Sequence, residues 1–169
     1  MTDLLEQEAV IRRRETIEEI KRLKYRYVRC IDCKLWDELS ECFAEDAVTS
    51  YASGRYSFEG RDNILAFLKE ALPATMVTMH QCFHPEIEIT SDTTAKGSWG
   101  FQDYLIELNE NTSLRGYAYY EDEYVRIDGK WKIKSTGYNR IFEETWNRAE
   151  LPSLNLTENM FGPSEGKSA

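Results

Sequence analysis

Apolar residues recur at helical spacing through the first part of the chain and then switch to strict alternation, which persists almost to the end. Ile17, Ile20, Tyr27, Val28, Ile31 and Leu35 fall on one stripe with Lys24 among them, so residues 15–33 predict an amphipathic helix, frayed or extended at its start. Glu18 and Arg22 lie one turn apart on its outer face. Residues 34–43 place Leu35, Leu39 and Phe43 at four-residue steps and predict a shorter helix, followed by a strand over 46–51. Ser53-Gly54 turns the chain into a short return strand at 56–58, and residues 60–71, carrying Ile64, Phe67 and Leu68, predict a third helix ahead of the stop at Pro73. Four long strands are expected next, over 77–89 with a break or bulge at Pro85, then 94–108, 114–127 and 131–142. Asp128-Gly129 joins the last two as a tight hairpin turn.

Helices first and an antiparallel meander afterwards define an α+β class, with a curved antiparallel sheet packed on N-terminal helices and a concave face. Residues 1–150 are read as one domain and 151–169 as a polar tail, of which 162–169 are expected to be disordered or loosely attached. No internal repeat is visible.

Composition narrows the partners. At 169 residues, 41% hydrophobic and 12% aromatic, the chain can bury one sizeable core. A formal net charge of -9 leaves no basic patch to neutralise a phosphate backbone, which argues against nucleic acid and against an anionic membrane surface. No run approaches the length of a membrane span, and the charged start of the chain lacks the apolar centre of a signal peptide, so a cytoplasmic protein is expected. Cys30 and Cys33 make a Cys-x-x-Cys, but at the end of a helix rather than its start, and no second pair offers zinc spacing. Reduced thiols are therefore expected, with no metal and no cofactor.

One acid stands out. Asp32 borders the apolar stripe at the end of the first helix, where a carboxylate needs a donor or a cation, and the chain holds only two histidines, His80 and His84, in one later strand. An Asp32–His80 contact reads in two ways: as a dyad whose carboxylate fixes the imidazole for proton abstraction, or as a buried pair that holds helix to sheet. His84 shares parity with His80, although Pro85 interrupts the strand, and it is read as a secondary substrate-binding candidate.

Further residues carry a family resemblance. The helix ending in Tyr27-Val-Arg-Cys-Ile-Asp32, the phrase Lys34-Leu-Trp-Asp-Glu-Leu39, Phe43-Ala-Glu-Asp-Ala-Val48 and Glu123-Tyr-Val-Arg-Ile-Asp-Gly-Lys-Trp-Lys-Ile133 resemble the nuclear transport factor 2-like superfamily, within it the SnoaL-like branch. The resemblance is greatest to the bacterial bile-acid 7α-dehydratases and extends to the scytalone dehydratases. It implies a cone-like half-barrel, and it implies a catalytic set at Tyr27, Asp32, Tyr51, His80 and Arg140. Cys33 stands where the bile-acid enzymes carry glycine.

In that set the two tyrosines would donate hydrogen bonds to a substrate carbonyl, and Arg140 would hold an oxyanion or leaving group. Strict alternation puts Trp131, Ile133, Ser135 and Gly137 on one face and Arg140 on the other, unless a bulge intervenes, for which Gly137 is the candidate. Otherwise Arg140 is a surface arginine pairing with Glu143 or Glu144. Trp99, Phe101 and Tyr119 are assigned to the substrate-binding wall, and Glu121-Asp-Glu123 to a solvated strand face.

The expected function is a cofactor-independent dehydratase acting on a hydrophobic polycyclic, carbonyl-conjugated substrate such as a 3-oxo steroid or bile-acid derivative. An isomerase or cyclase with the same base, or a non-catalytic ligand-binding or assembly module, are the alternatives. A homotrimer or homodimer is expected, because an open curved sheet leaves apolar area to cover.

Overall fold

The computed structural model describes residues 2–162 and orders them as helices laid against one six-stranded sheet. Helix α1 (Thr2–Asp32) is longer than the pattern predicts, since residues 2–14 contain no glycine or proline and continue the helix into solvent. Its second half buries Ile20, Leu23, Tyr27, Cys30 and Ile31. Helix α2 (Trp36–Ser40) is correspondingly short, because strand β1 (Phe43–Tyr51) starts early, with Phe43 paired to Ile133. Strand β2 (Tyr56–Glu59) and helix α3 (Arg61–Ala71) follow, the helix burying Ile64, Leu65 and Leu68.

Strands β3 (Met76–Ile89), β4 (Thr94–Glu107), β5 (Thr112–Ile127) and β6 (Lys130–Asn147) form the antiparallel meander. The Asp128-Gly129 turn has both residues at positive φ, +49° and +76°, as a type I′ hairpin requires. The sheet order is β2-β1-β6-β5-β4-β3, and β1 joins β6 in parallel, which makes the sheet mixed rather than wholly antiparallel. It curves without closing, and the helices cover its concave side over Trp99, Phe101, Tyr120, Tyr124 and Ile133. After a short 3-10 turn at Arg148–Glu150 the chain is irregular to Gly162, whose amide donates to the Asn159 carbonyl. Of the tail expected to be disordered, residues 163–169 lie outside the described residues.

Three strand irregularities decide which side chains face inward. One is at Ile141, left extra between the pairings of Ala118 with Arg140 and Tyr117 with Phe142, which keeps Glu143 and Thr145 on the side of Arg140. In β6 the pairings Glu123 with Ser135 and Tyr124 with Ile133 leave Lys134 as an extra residue, so the bulge sits there and not at Gly137. The parity flip puts Thr136, Tyr138 and Arg140 on the side of Trp131 and Ile133, whereas unbroken alternation would have chosen Ser135 and Gly137. Gly137 serves a different purpose: an added Cβ would lie 2.5 Å from the Ser50 carbonyl oxygen, so only glycine lets β1 and β6 approach at this point.

The third irregularity lies between Phe83 and Glu86, where Pro85 interrupts the β3–β4 ladder and His84 adopts φ +49°. His84 is turned out into solvent.

The acidic run of β5 is not uniformly solvated. Glu121 and Glu123 are exposed, but Asp122 is fully buried with Lys24, their Nζ and Oδ2 atoms 2.8 Å apart. Asp122 also accepts from Tyr124 Oη at 2.6 Å and from Thr136 Oγ1 at 2.6 Å. Parity explains it, because Asp122 lies between Tyr120 and Tyr124 on the inward face.

Candidate active site

Asp32 is the last residue of α1, and three donors from β3 converge on it. Thr78 Oγ1 donates to Oδ1 at 2.8 Å, the His80 backbone N–H donates to Oδ2 at 2.8 Å, and His80 Nδ1 lies 2.5 Å from Oδ1. A carboxylate only accepts, so Nδ1 carries the proton and Nε2 presents a lone pair. Among the described residues no protein group bonds Nε2. The imidazole stacks on Phe101, with centroids 5.7 Å apart and planes 8° from parallel, which fixes the ring against its floor.

His80 opens onto a cavity of about 450 Å³ between α3, the end of α1 and the concave sheet. Ile31, Phe67, Leu68, Leu72, Met76, Leu105 and Leu114 give it an apolar body. The polar groups are few: His80, the tyrosines Tyr27, Tyr51, Tyr120 and Tyr138, and the charged cluster of Asp103, Arg140 and Glu143, with the exposed Arg55 and Tyr56. A small set of convergent polar groups in an apolar hollow is the composition of a small-molecule site.

Tyr27 and Tyr51 oppose each other with their hydroxyl oxygens 3.0 Å apart. Burial pushes both phenols above the usual tyrosine value, with Tyr120 adding to the rise at Tyr27. Burial likewise raises Tyr120 and Tyr124. All four are therefore neutral donors at pH 7. Because the folded pKa exceeds the unfolded one, their contribution to stability is complete below about pH 10 and is lost as pH rises from there towards the folded values. Urea midpoints measured at successive pH values should decline from about pH 8.5, where unfolded thiols ionise while the buried ones stay protonated, and fall more steeply beyond about pH 10, with phenolate absorbance of the buried tyrosines developing only as the chain unfolds. Phenolate from these residues within an intact native baseline would contradict it.

Arg140 reaches the cavity because of the bulge at Lys134. It forms a two-pronged pair with Asp103, Nη1 to Oδ1 at 2.7 Å and Nη2 to Oδ2 at 2.6 Å, and its Nε lies 3.1 Å from Glu143 Oε2. Burial alone would lower the guanidinium pKa, but the Asp103 bonds together with the surrounding Tyr138, Asp103 and Glu143 groups outweigh it and raise it. The expected pairing with Glu143 thus occurs, but in the cavity wall rather than on the surface. Gly116 makes room for it: a Cβ there would fall 2.1 Å from Arg140 Nη1.

All five residues of the expected set come together around one cavity, with Asp32 behind His80 and the other four lining it. The substrate-wall assignments fare differently. His84 and Tyr119 are exposed and line no part of the cavity, Tyr119 because it alternates outward next to inward Ala118 and Tyr120. Trp99 is wholly buried, bonding Tyr124 Oη through Nε1 at 2.9 Å, and Phe101 lies beneath His80 rather than at the surface of the hollow. Sequence reasoning missed Asp103, although an acid two positions from inward Phe101 in an alternating strand was the signal for it. It also missed Tyr120 and Tyr138.

Cys30, Cys42 and Cys82 offer no activated thiol. Burial pushes Cys30 and Cys82 up to about 11 and Cys42 up to about 12, and the described cysteines are unpaired.

The SnoaL-like domain matches residues 12–137, most of the chain. This protein belongs to the SnoaL-like family. Among solved structures it resembles a protein from Novosphingobium aromaticivorans provisionally named a scytalone dehydratase, at TM-score 0.71 and 25% identity over 76% of this chain and 86% of that one. It also resembles a type-2 hexachlorocyclohexane dehydrochlorinase, at TM-score 0.73 and 20% identity, with 79% and 90% of the two chains covered. A type-3 dehydrochlorinase from Novosphingobium barchaimii matches at TM-score 0.72 and 18% identity, covering 79% and 92%. The last two establish a shared fold with this SnoaL-like chain. Among the described residues no helix is long and apolar enough to cross a membrane.

Proposed function

We propose that this SnoaL-like protein is a cofactor-independent lyase that removes water, or a comparable leaving group, from a hydrophobic polycyclic substrate bearing a conjugated carbonyl. The observation that carries the reading is the Asp32–His80 dyad, with Nδ1 tied to the carboxylate and the free nitrogen on a ring that lines an apolar cavity. Structural neighbours named for elimination chemistry lend it support.

In this mechanism His80 Nε2 takes a proton from a carbon acidified by the carbonyl, and Asp32 stabilises the imidazolium that forms. The Tyr27–Tyr51 hydroxyl pair donates to the carbonyl oxygen as it gains charge. The electron pair of the broken C–H bond forms the new double bond and expels hydroxide, which the imidazolium protonates to water. Arg140 is committed to Asp103 and Glu143, so it orients Asp103 at the cavity wall instead of serving as a free oxyanion clamp. A 3-oxo steroid or bile-acid derivative with a β-placed hydroxyl meets these requirements of shape and acidity. Incubating the protein with such ketones and following loss of one water by mass tests the reading; recovery of an isomer of unchanged mass would instead identify a double-bond isomerase using the same base.

We further propose that the protein self-associates, as a dimer or trimer, through the outer face of the sheet. Tyr119 on β5 and Ile141 and Phe142 on adjacent β6 are exposed there, with Met79 and Phe83 on the edge strand β3. Light scattering should give a multiple of 19.8 kDa, and Tyr119→Glu should lower it; a monomer at micromolar concentration refutes the assignment.

A further inference from the structure

The cavity does not end at Arg140. Met76, Leu105 and Leu114 line its far end and also the near wall of a second hollow of about 460 Å³. Past them Glu107, Thr112, Thr145 and Asn147 share the lining with Ser113 and Trp146. Strand register puts all of these residues except Ser113 and Trp146 on one surface. His80 is opposite Asp103, Met76 opposite Glu107, Leu105 opposite Leu114, Leu114 opposite Thr145 and Thr112 opposite Asn147, all of the inward parity. From Asp103 to Glu107 along β4 the run is about 13 Å at ~3.3 Å per residue.

Chemistry changes along that run in a fixed order. The proton-transfer groups come first, then an apolar floor, then hydroxyl and amide groups. Among the described residues neither lysine nor arginine lines the second hollow, whereas Glu107 does, its carboxylate held by the Glu110 backbone N–H. Glu143 stands at the junction. A carboxylate-ended extension would meet the Glu107 carboxylate there, Glu143 being paired with Arg140, while an uncharged group would find Thr145, Thr112 and Asn147 as partners.

We propose that the substrate carries an uncharged, hydrogen-bonding extension, of the amide or polyol class, which lies along this floor while the ring system sits at His80. The proposal rests on the lyase reading for the ring system and adds the second subsite.

The test is calorimetric titration of the full-length protein with three ligands sharing a 3-oxo-4-ene steroid nucleus: one without a side chain, one with a five-carbon chain ending in a primary amide, and one with the same chain ending in carboxylate. The amide ligand should bind about tenfold tighter than the tail-less one. Thr145→Trp, at an exposed position on this floor, should collapse that ratio towards one. The carboxylate ligand should bind at least about threefold weaker than the amide, and Glu107→Gln should close that gap. Equal affinity with and without the tail, or a tail advantage that survives Thr145→Trp, overturns the subsite while leaving the lyase reading intact. Failure of all three to bind overturns the polycyclic-ketone reading and, with it, the extension.

Discussion

Replacing His80 by glutamine should leave the fold intact and lower the rate of substrate elimination by about 10²–10⁴-fold, the usual worth of a positioned general base. Glutamine retains the backbone N–H that donates to Asp32 Oδ2 and can offer its own amide N–H to Oδ1, so the anchoring of β3 to the end of α1 survives. What it lacks is a lone pair basic enough to take a proton from carbon. Asp32→Asn is the less clean experiment, since Asp32 also accepts from Thr78 and from the His80 backbone, and its loss disturbs the join of helix and strand as well as the imidazole. The two variants therefore separate roles. His80→Gln should reduce kcat with little change in KM or in urea midpoint, whereas Asp32→Asn should reduce both kcat and stability. An undiminished kcat in His80→Gln would remove the dyad from the chemistry and leave it as a structural pair.

Asp122→Ala should cost about 3–5 kcal/mol of folding stability, because it strands the ammonium of Lys24 in the core without its counter-charge. Neither side chain of the pair is exposed, and Lys24 Nζ lies 3.4 Å from the Tyr120 ring centroid and 4.8 Å from that of Tyr27. The same substitution deprives the Tyr124 and Thr136 hydroxyls of their acceptor. Removing both charges together, Lys24→Met with Asp122→Asn, should cost much less than the sum of the single changes, since the expensive element is the unpaired charge rather than the lost attraction. Shifts of urea midpoint at constant slope check both statements. An additive double variant would mean that the two groups do not interact. Because Tyr27 and Tyr120 line the candidate cavity, this core pair also fixes its wall from behind.

Local pattern determined a good deal of this protein. The helical stripe around Tyr27 and Ile31, the change to period two after Met76 and the Asp128-Gly129 turn each follow from backbone and side-chain preferences that act within a few residues. The resemblance supplied the membership of the cavity, and the geometry brings Tyr27, Asp32, Tyr51, His80 and Arg140 together. Tertiary structure alone decided the rest. Arg140 faces inward because one extra residue precedes it in β6, and the placing of that bulge at Lys134 rather than at Gly137 depends on how β6 must bend to pair with both β5 and β1, which no local signal encodes. Alternation could show that Asp103, Asp122 and Lys24 point into the interior, but not that they would find Arg140 and one another, since those partners arrive from distant segments and burial of each charge is tolerable only once they do. His84 and Tyr119 failed at the sheet itself, His84 at the Pro85 break and Tyr119 by its outward parity, whereas Trp99 and Phe101 lie on the inward side but in its filled part. Parity says which side of a sheet a residue occupies, whereas the position of the helices decides which part of that side remains open as a cavity and which is filled as core.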